Sequence, residues 1–146
     1  MERSHNGSRV RSFPVDRVTL NNIKPIMKAH VEVGTCIQTD EAAVYHWIHD
    51  DFANHDIVTH KSREYSRYEN GRHITTNTVE GLFGLVKRGV FGIYHHWGRG
   101  YLQQYLNEFD FRYNHRKVND SERTMLMLKA TEGKRLTLRE PKSASA

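Results

Sequence analysis

The chain has little cysteine and no long apolar run. Its single cysteine, Cys36, excludes a disulfide framework and a cysteine-based zinc site, and so low a cysteine content is typical of a reducing compartment. No apolar stretch approaches the roughly 20 residues of a membrane-spanning helix. Met1 is not followed by the apolar region of a signal peptide. These absences predict a soluble, cytoplasmic protein that has no membrane partner.

Two common kinds of catalytic motif are also missing. The chain has no Gly-x-Ser-x-Gly elbow, which would present a serine nucleophile. It has no glycine-rich loop of the P-loop or dinucleotide-binding type, which would cradle a phosphate. Cys36 lies in an apolar run, and its position favours a buried spacer over a nucleophile. Nucleophilic catalysis and nucleotide binding of these types therefore find no support.

The composition fits a small basic domain. The 146 residues amount to one domain's length of chain, and 37% hydrophobic residues with two tryptophans suffice for a modest core. The formal net charge is +5 and the pI is near 9.4. Basic residues alternate with tyrosine, phenylalanine and histidine, which suits a polyanionic partner such as DNA or RNA.

The hydrophobic pattern alternates between strand and helix periodicity. Because the alternation begins with short β-branched runs, it predicts an α/β layer in which part of the sheet is parallel. We expect a disordered start at 1–7, an exposed loop at 60–72 and a flexible tail at 132–146. The predicted strands are 8–15, 35–39 and 56–59, and the predicted helices are 22–33, one opened by 40–41, 77–90, 102–113 and 121–129.

The predicted helix at 77–90 places ionic side chains along one edge. At ~100° per residue, Glu80 and Lys87 fall within about 20° of each other, two turns apart. Asn77 and Arg88 lie on the adjoining strip, beside the apolar stripe that the helix would bury. A carboxylate that can hold a divalent metal, next to a cation that can hold a phosphate, suggests phosphoryl-transfer chemistry on nucleic acid.

A simpler interpretation of this stretch is helix capping. Asn77 is a good N-cap residue, and Glu80 would then stand where a capping box needs a carboxylate. Lys87 and Arg88 would favour the negative end of the helix dipole. The local pattern alone favours a capping role over a catalytic role for these residues. The rest of the chain must decide between the two interpretations.

A second acid stands where a strand gives way to a helix. Asp40 directly follows a short β-branched strand, and ligands of open α/β sheets commonly bind at such strand ends. The alternative is that Asp40 caps the following helix. Asp40 and Glu80 taken together are harder to explain as caps, because metal-dependent phosphoryl transfer needs several carboxylates that converge on hard cations.

The histidines and the aromatic turn leave further alternatives open. His46 and His49 are three residues apart but lack a metalloprotease motif, so a histidine-metal phosphoesterase is the weaker possibility. The turn after residue 90 could stack on splayed bases or line a DNA backbone, or its aromatics could pack beneath the helix at 102–113. The turn residues concerned are Tyr94, His95, His96, Trp97 and Arg99.

Five motifs follow one another in a fixed order along the chain. They are Thr39-Asp40-Glu41 followed by Tyr45; His73 with Thr76-Asn77-Thr78-Val79-Glu80-Gly81-Leu82-Phe83; Lys87-Arg88-Gly89; Gly92-x-Tyr94-His95-His96; and Glu108-Phe109-x-Phe111-Arg112-Tyr113-Asn114. Together they resemble the carboxyl-terminal part of a bacterial insertion-sequence transposase, of the group whose DDE domain ends in an Asn-x-x-Glu-Gly helix. The resemblance covers roughly residues 9–116.

The resemblance implies an RNase H-like fold over 8–116, followed by a short helical extension at 117–131. It implies three acidic residues that bind two divalent metals, Mg²⁺ or Mn²⁺, and cut and join DNA. Asp40 would be the second acid and Glu80 the third, both catalytic. Asn77 would contribute to the same ligand set, and either Asn77 or Glu80 could dominate the binding. Lys87 would contact the DNA backbone.

The resemblance also implies the partners. These would be the element's terminal repeats and target DNA, with a homodimer or a full-length transposase as a protein partner and the nucleoid as the location. In addition to Lys87, the candidate DNA-binding residues are Arg88, His95, His96 and Arg99.

One departure from the family affects the expected activity. Members carry the first acid on a strand upstream of the segment that corresponds to 8–15 here, and Asp16 follows that segment without replacing the acid. The resemblance therefore predicts a fragment that lacks its amino-terminal strands and is inactive alone. The alternative is a non-catalytic DNA-binding or regulatory fragment that contacts element DNA or full-length transposase.

Overall fold

The computed structural model describes residues 1–2 and 8–134 and confirms the mixed α/β composition. The segments 3–7 and 135–146 are outside the described residues, so the predicted disordered start and most of the predicted tail lie there. The helices are α1 (Leu20–His30), α2 (Ile48–Asp51), α3 (Asn77–Gly89), α4 (Leu102–Asn114) and α5 (Asp120–Thr131), and the strands are β1 (Cys36–Asp40), β2 (Asn54–Val58), β3 (Ser66–Glu69) and β4 (Arg72–Thr75).

The first sheet consists of β1 and β2, which pair in parallel as the alternation predicts. Asp40 is in register with Val58, so both strands end at the same edge. Buried side chains of β1, the following turn and α2 form a compact core. Two partly buried residues pack against it, Met27 of α1 and Val31 directly after α1. The core residues are Ile37, Trp47, Ile48 and Phe52.

The predicted loop at 60–72 is wrong, because most of it forms a hairpin. Strands β3 and β4 pair antiparallel, with Glu69 opposite Arg72. Asn70 and Gly71 between them have φ values of 50° and 73°, as a type I′ turn requires. Arg67 holds the hairpin to the parallel sheet, since its guanidinium donates to the backbone oxygen of Ile57 at 2.7 Å.

One glutamine side chain joins β1 to β4. The Oε1 atom of Gln38 accepts from the backbone N–H of Thr75 at 3.2 Å, and its Nε2 donates to the backbone oxygen of His73, also at 3.2 Å. An amide side chain thus supplies the donor and acceptor that a neighbouring strand would otherwise supply. It fixes the end of β4, and therefore the start of α3, beside β1.

Two helical predictions need correction. The helix predicted to open at 40–41 is a 3₁₀ turn (Ala43–Tyr45) followed by the four-residue α2. The helix predicted at 22–33 begins at Leu20 and ends at His30, and Pro25 lies in its interior. A proline there removes one helical hydrogen bond.

The strand predicted at 8–15 is also wrong. In the described part of the chain this segment makes an isolated bridge between Glu2 and Arg9, and otherwise it bonds to α4. Asn114 accepts from the N–H of Val10 at 2.7 Å and donates to its oxygen at 2.9 Å. The carboxylate of Asp110 accepts from the backbone N–H and the hydroxyl of Ser12 at 2.6 and 2.7 Å. Helix side chains replace a partner strand.

Cys36 is half-buried and hydrogen-bonded, which corrects the prediction of a buried spacer. Its Sγ lies 3.2 Å from Oδ2 of Asp56 and accepts from Arg72 at 2.8 Å. Burial raises the pKa of the Cys36 thiol, and the neighbouring Asp56 carboxylate raises it further, whereas Arg72 lowers it. The thiol is therefore a poor nucleophile at neutral pH.

The carboxyl-terminal end of α3 packs closely on α4. Gly89 is buried, and a Cβ added there would overlap the ring of Phe109. Phe109 is itself buried in α4. The close approach of the two helices thus depends on the missing side chain of Gly89.

The chain divides into two compact units: Val15–Leu85, and Met1–Pro14 together with the chain from Val86 onward. The first unit holds both small sheets and the core around Trp47. The second holds α4, α5 and the bonds from 8–14 to α4. None of the helices among the described residues is long and apolar enough to cross a membrane.

We expect Gly89→Ala to lower the free energy of unfolding by about 1–3 kcal/mol, because the new methyl group overfills the space against Phe109. Gly81→Ala in the same helix is the matched control. Nothing lies within 4 Å of a Cβ at that position, so helix propensity should make it neutral or stabilising by up to about 1 kcal/mol. Urea unfolding of both variants measures this. Equal effects would contradict the described packing.

Candidate functional site

The candidate site lies where three elements end or begin within the unit Val15–Leu85. Strands β1 and β2 end side by side at Asp40 and Val58. Helix α3 begins directly after β4, which Gln38 fixes beside β1. The carboxyl edge of a parallel sheet next to a helix start is a common place for a ligand.

Asp40 is the last residue of β1, and its side chain is exposed. Its Oδ1 accepts from the backbone N–H of Ala42 at 3.2 Å. The capping alternative is therefore confirmed in part, since the carboxylate caps a turn and not the long helix that the sequence predicts. A carboxylate with one such bond keeps acceptor capacity for a cation.

Glu41, the neighbour of Asp40, reaches the end of β2. Its Oε2 accepts from the backbone N–H of His60 at 2.9 Å. This hydrogen bond is the main reason that the pKa of Glu41 is lowered from its ordinary value. Glu41 therefore remains ionised at neutral pH, and it ties the turn after β1 to the turn after β2.

His60, Thr76 and Glu80 form a hydrogen-bonded triangle. The Thr76 hydroxyl donates to Oε1 of Glu80 at 2.6 Å. The Nε2 atom of His60 lies 3.0 Å from the Thr76 hydroxyl and 3.0 Å from the same Glu80 oxygen. Because the hydroxyl hydrogen is already donated and the carboxylate is an acceptor, Nε2 of His60 must carry a proton. The triangle joins the end of β2 to the first turn of α3.

Thr76, and not Asn77, acts as the cap of α3. The backbone oxygen of Thr76 accepts from the N–H groups of Val79 and Glu80, and Asn77 is already helical and exposed. The predicted capping box of Asn77 and Glu80 is therefore wrong by one residue. The Glu80 carboxylate accepts instead from the Thr76 hydroxyl, a bond between two side chains.

A short chain of contacts connects the two candidate acids. Glu41, next to Asp40, bonds to His60, and the His60 ring contacts Glu80. Side chains alternate along a strand, so those of Gln38 and Asp40 lie on the same side of β1. Gln38 accepts a hydrogen bond from Thr75, which directly precedes Thr76. The structure thus brings together the elements that carry Asp40 and Glu80. Whether the two side chains share a ligand stays a prediction.

The donor chemistry of the site suits a hard divalent cation, because Asp40 and Glu80 offer exposed carboxylate oxygens. Asn77 offers an amide oxygen from the same turn of α3. Within 1–2 and 8–134, however, no group of three histidine, cysteine, aspartate or glutamate residues could hold a metal ion. The two acids would therefore supply only some of the ligands that such a cation needs.

The predicted DNA-binding residues belong to the end of α3 and the turn after it. Lys87 and Arg88 occupy the last turn of α3 and are exposed, as are His95, His96 and Arg99. Exposure agrees with a role in binding but does not test it.

The aromatic residues of that turn pack against α4, which confirms the packing alternative for two of them. The Tyr94 hydroxyl donates to Glu108 at 2.6 Å. The Trp97 ring stacks on Tyr105 with centroids 5.1 Å apart and an interplanar angle of 2°. Both side chains are therefore engaged in packing within this unit.

Sequence reasoning missed His60, Thr76 and Glu41 as parts of the site. His60 directly follows the strand predicted at 56–59, although β2 itself ends at Val58. The rule that selected Asp40, a polar side chain at a strand end, could therefore also have selected His60. Thr76 precedes the predicted helix at the usual place of a capping threonine. The interpretation of 60–72 as a loop hid the signal of His60, and the choice of Asn77 as the cap hid that of Thr76.

A family model described as ISXO2-like transposase domain matches residues 1–114. No curated protein matches the chain significantly, and neither does any solved structure. The matched range includes both candidate acids and the turn that follows α3.

We expect Thr76→Val to lower the free energy of unfolding by about 1–2 kcal/mol, because it removes the buried hydroxyl that His60 and Glu80 share. Thr78→Val is the matched control, since the Thr78 hydroxyl has no hydrogen bond among the described residues. Its effect should stay within about 0.5 kcal/mol. Chemical unfolding compares the two variants. A Thr76→Val variant as stable as the control would show that the triangle contributes little.

Proposed function

The chain belongs to the ISXO2-like transposase domain family, and from this we propose that it acts in the cleavage and joining of DNA at the ends of an insertion sequence. The observation that carries the proposal is the triangle of His60, Thr76 and Glu80. The triangle joins Glu80 to the turn that follows β2, and β2 ends beside Asp40 of β1, which supports a common site for the two acids.

We propose an RNase H-like arrangement for the unit that carries the acids. The parallel pair β1–β2, the Asn70-Gly71 hairpin and the helix after it support the proposal. In this arrangement Asp40 ends a strand and Glu80 lies in the first turn of a helix. The two acids therefore come from rigid elements and not from loops, as a precisely placed site requires.

Asp40 and Glu80 would hold a divalent cation, Mg²⁺ or Mn²⁺, with Asn77 as a further oxygen donor. Bound divalent cations in such sites lower the pKa of the attacking oxygen and stabilise the leaving oxygen. Family members generally use divalent metals for this chemistry. The two acids supply only part of the ligand set, so metal binding is a more direct test than turnover.

The protein's own groups would orient the acid of α3. His60 and Thr76 both bond to Oε1 of Glu80, which fixes the carboxylate. Oε2 makes no hydrogen bond among the described residues, so it would be the oxygen that binds a ligand.

Lys87 and Arg88 would contact DNA phosphates. Both are exposed on the last turn of α3, and their charges suit the backbone of element ends and target DNA. DNA is the partner that the family implies, and a homodimer or a longer transposase chain is a further partner that we propose for assembly at two element ends.

We expect Mn²⁺ to raise the melting temperature of the chain, and Asp40→Asn and Glu80→Gln each to abolish that rise. Ligand binding to the folded state stabilises it by about 2.7 kcal/mol when the ligand concentration is a hundredfold above Kd. The matched control is Asp50→Asn, which removes an exposed acid of α2 and should leave the rise unchanged. Thermal scans with and without MnCl₂ measure it.

Two results would contradict the proposal. One is that both variants keep the full Mn²⁺ effect. The other is that the Asp50→Asn control loses as much of the effect as they do, because Mn²⁺ then binds to surface acids in general.

A further inference from the structure

The turn between β2 and β3 presents an exposed tyrosine next to the triangle that holds Glu80. Tyr65 is 61% exposed, and its ring meets the His60 ring edge-on with the centroids 6.2 Å apart. The Nε2 atom of His60 lies 3.0 Å from Oε1 of Glu80, and these two side chains are 30% and 48% exposed. Tyr65, His60 and Glu80 therefore form one connected strip of surface.

Tyr65 is held in this place by its backbone. Its backbone oxygen accepts from the hydroxyl of Thr75 at 3.0 Å. Thr75 is buried and directly precedes Thr76, which bonds to Glu80. The phenol hydroxyl of Tyr65 makes no hydrogen bond among the described residues. Because an edge-on contact covers at most one face of a ring, Tyr65 keeps an open face and an open hydroxyl on a fixed support.

Two residues before Tyr65, Arg63 has a backbone conformation that arginine seldom adopts. Its φ of 58° and ψ of 24° lie in the left-handed region, which favours glycine and asparagine. Its backbone N–H donates to the oxygen of His60 at 2.9 Å and closes the turn, which a glycine would do with less strain. The guanidinium is exposed and has no ion pair among the described residues. Packing therefore does not explain an arginine here, and strained residues cluster at binding sites.

The acids that bond to this turn each have a partner of their own. Glu64 accepts from a backbone N–H group at 3.0 Å and from Arg67 at 2.8 Å, and these bonds lower the pKa of its carboxyl group. Glu41 accepts from a backbone N–H of the turn at 2.9 Å. Glu80 is a candidate metal ligand, and its Oε1 accepts from two donors. The Arg63 guanidinium has no such partner, so it is the charge that can attract an anion.

An open aromatic face close to an unpaired cation matches the parts of a nucleotide. Proteins hold single-stranded DNA by stacking its bases on aromatic side chains and by placing cations along its backbone. Bases inside a duplex have both faces covered by their neighbours, so an aromatic ring stacks on unpaired bases. A stable protein partner would need roughly 800 Å² of surface on this side, and a strip of three side chains does not provide it.

We propose that Tyr65 stacks on an unpaired base at the end of a DNA strand, while Arg63 holds an adjacent phosphate. The inference rests on the proposed function, because it takes DNA as the substrate and adds the form of DNA that the site binds. A strand end that stacks on Tyr65 would lie beside His60, on the strip that leads to Glu80. The two residues would thus bind the substrate next to the candidate acids.

Two duplexes of one sequence test the stack, one with blunt ends and one with an unpaired extension at one end. The full chain should bind the extended duplex more tightly. Tyr65→Ala should weaken binding of the extended duplex about tenfold, because one stacked base is lost, and Tyr65→Phe, which keeps the ring, should not. Tyr68→Ala is the matched control, since it removes a tyrosine of β3 that is 79% exposed, and it should leave Kd unchanged. Fluorescence anisotropy gives each Kd.

Glycine at position 63 separates binding from folding. Arg63→Gly should keep or raise the melting temperature, because glycine adopts a φ of 58° without strain. It should nevertheless weaken binding of the extended duplex. The slope of log Kd against log salt concentration should fall by about 0.7, the share of one single-strand phosphate contact. Asn70→Gly relaxes another positive φ, of 50°, and is the matched control that should leave Kd and slope unchanged. An unchanged slope in Arg63→Gly would overturn the phosphate contact.

Photo-crosslinking locates the stacked base without any change to the protein. An extended duplex that carries 5-iodouracil as its unpaired base should crosslink to Tyr65, and mass spectrometry of the digested chain should identify that residue. Crosslinks confined to residues outside 60–65 would overturn the proposal. This measurement decides the matter even where Tyr65→Ala displaces His60 and so loses binding for a structural reason.

The outcomes distinguish this inference from the proposed function. If the full chain binds neither duplex, the proposed function fails and the inference fails with it. If the chain binds both duplexes equally, and Tyr65→Ala and Arg63→Gly bind as the unaltered chain does, DNA remains the substrate and the inference alone is wrong. If Tyr65→Phe weakens binding as much as Tyr65→Ala, the hydroxyl makes the contact and the stack is wrong.

Discussion

The contact of His60 with Thr76 and Glu80 is the interaction on which the proposed site depends. Without it, the end of β2 and the start of α3 would share no side-chain hydrogen bond among the described residues. With it, Oε1 of Glu80 is fixed by two donors. The Glu41 carboxylate extends the same connection to the turn after Asp40. The proposed convergence of the two acids thus depends on a few polar contacts at one edge of a small sheet.

Local sequence patterns predicted the elements that follow simple periodicity. The β-branched run after Gly34 forms β1, the apolar steps at 102–113 form α4, and the parallel pairing follows from their alternation. Asp40 at the strand end and Glu80 in the helix were selected by the same reasoning. Their use as metal ligands remains a prediction, because no bound ligand tests it.

The errors have physical causes. The interpretation of 60–72 as a loop overlooked Asn70-Gly71, although this pair is the strongest short-range hairpin signal. The segment at 8–15 has the composition of a strand, but its backbone hydrogen bonds are made with the side chains of Asn114 and Asp110 on α4 and not with a second strand. No local pattern reveals such a long-range partner. Likewise, the roles of Gln38 and His60 depend on contacts that appear only once the chain is folded.

The convergence of Asp40 and Glu80 on one cation is the central claim, and paramagnetic broadening by Mn²⁺ tests it most directly. In amide-resolved NMR spectra of the ¹⁵N-labelled chain, Mn²⁺ well below the protein concentration broadens signals near the ion. The account predicts that the amides of 39–41 and of 79–81 broaden together and at the same Mn²⁺ concentration. Broadening of one group without the other, or at clearly different concentrations, would contradict it.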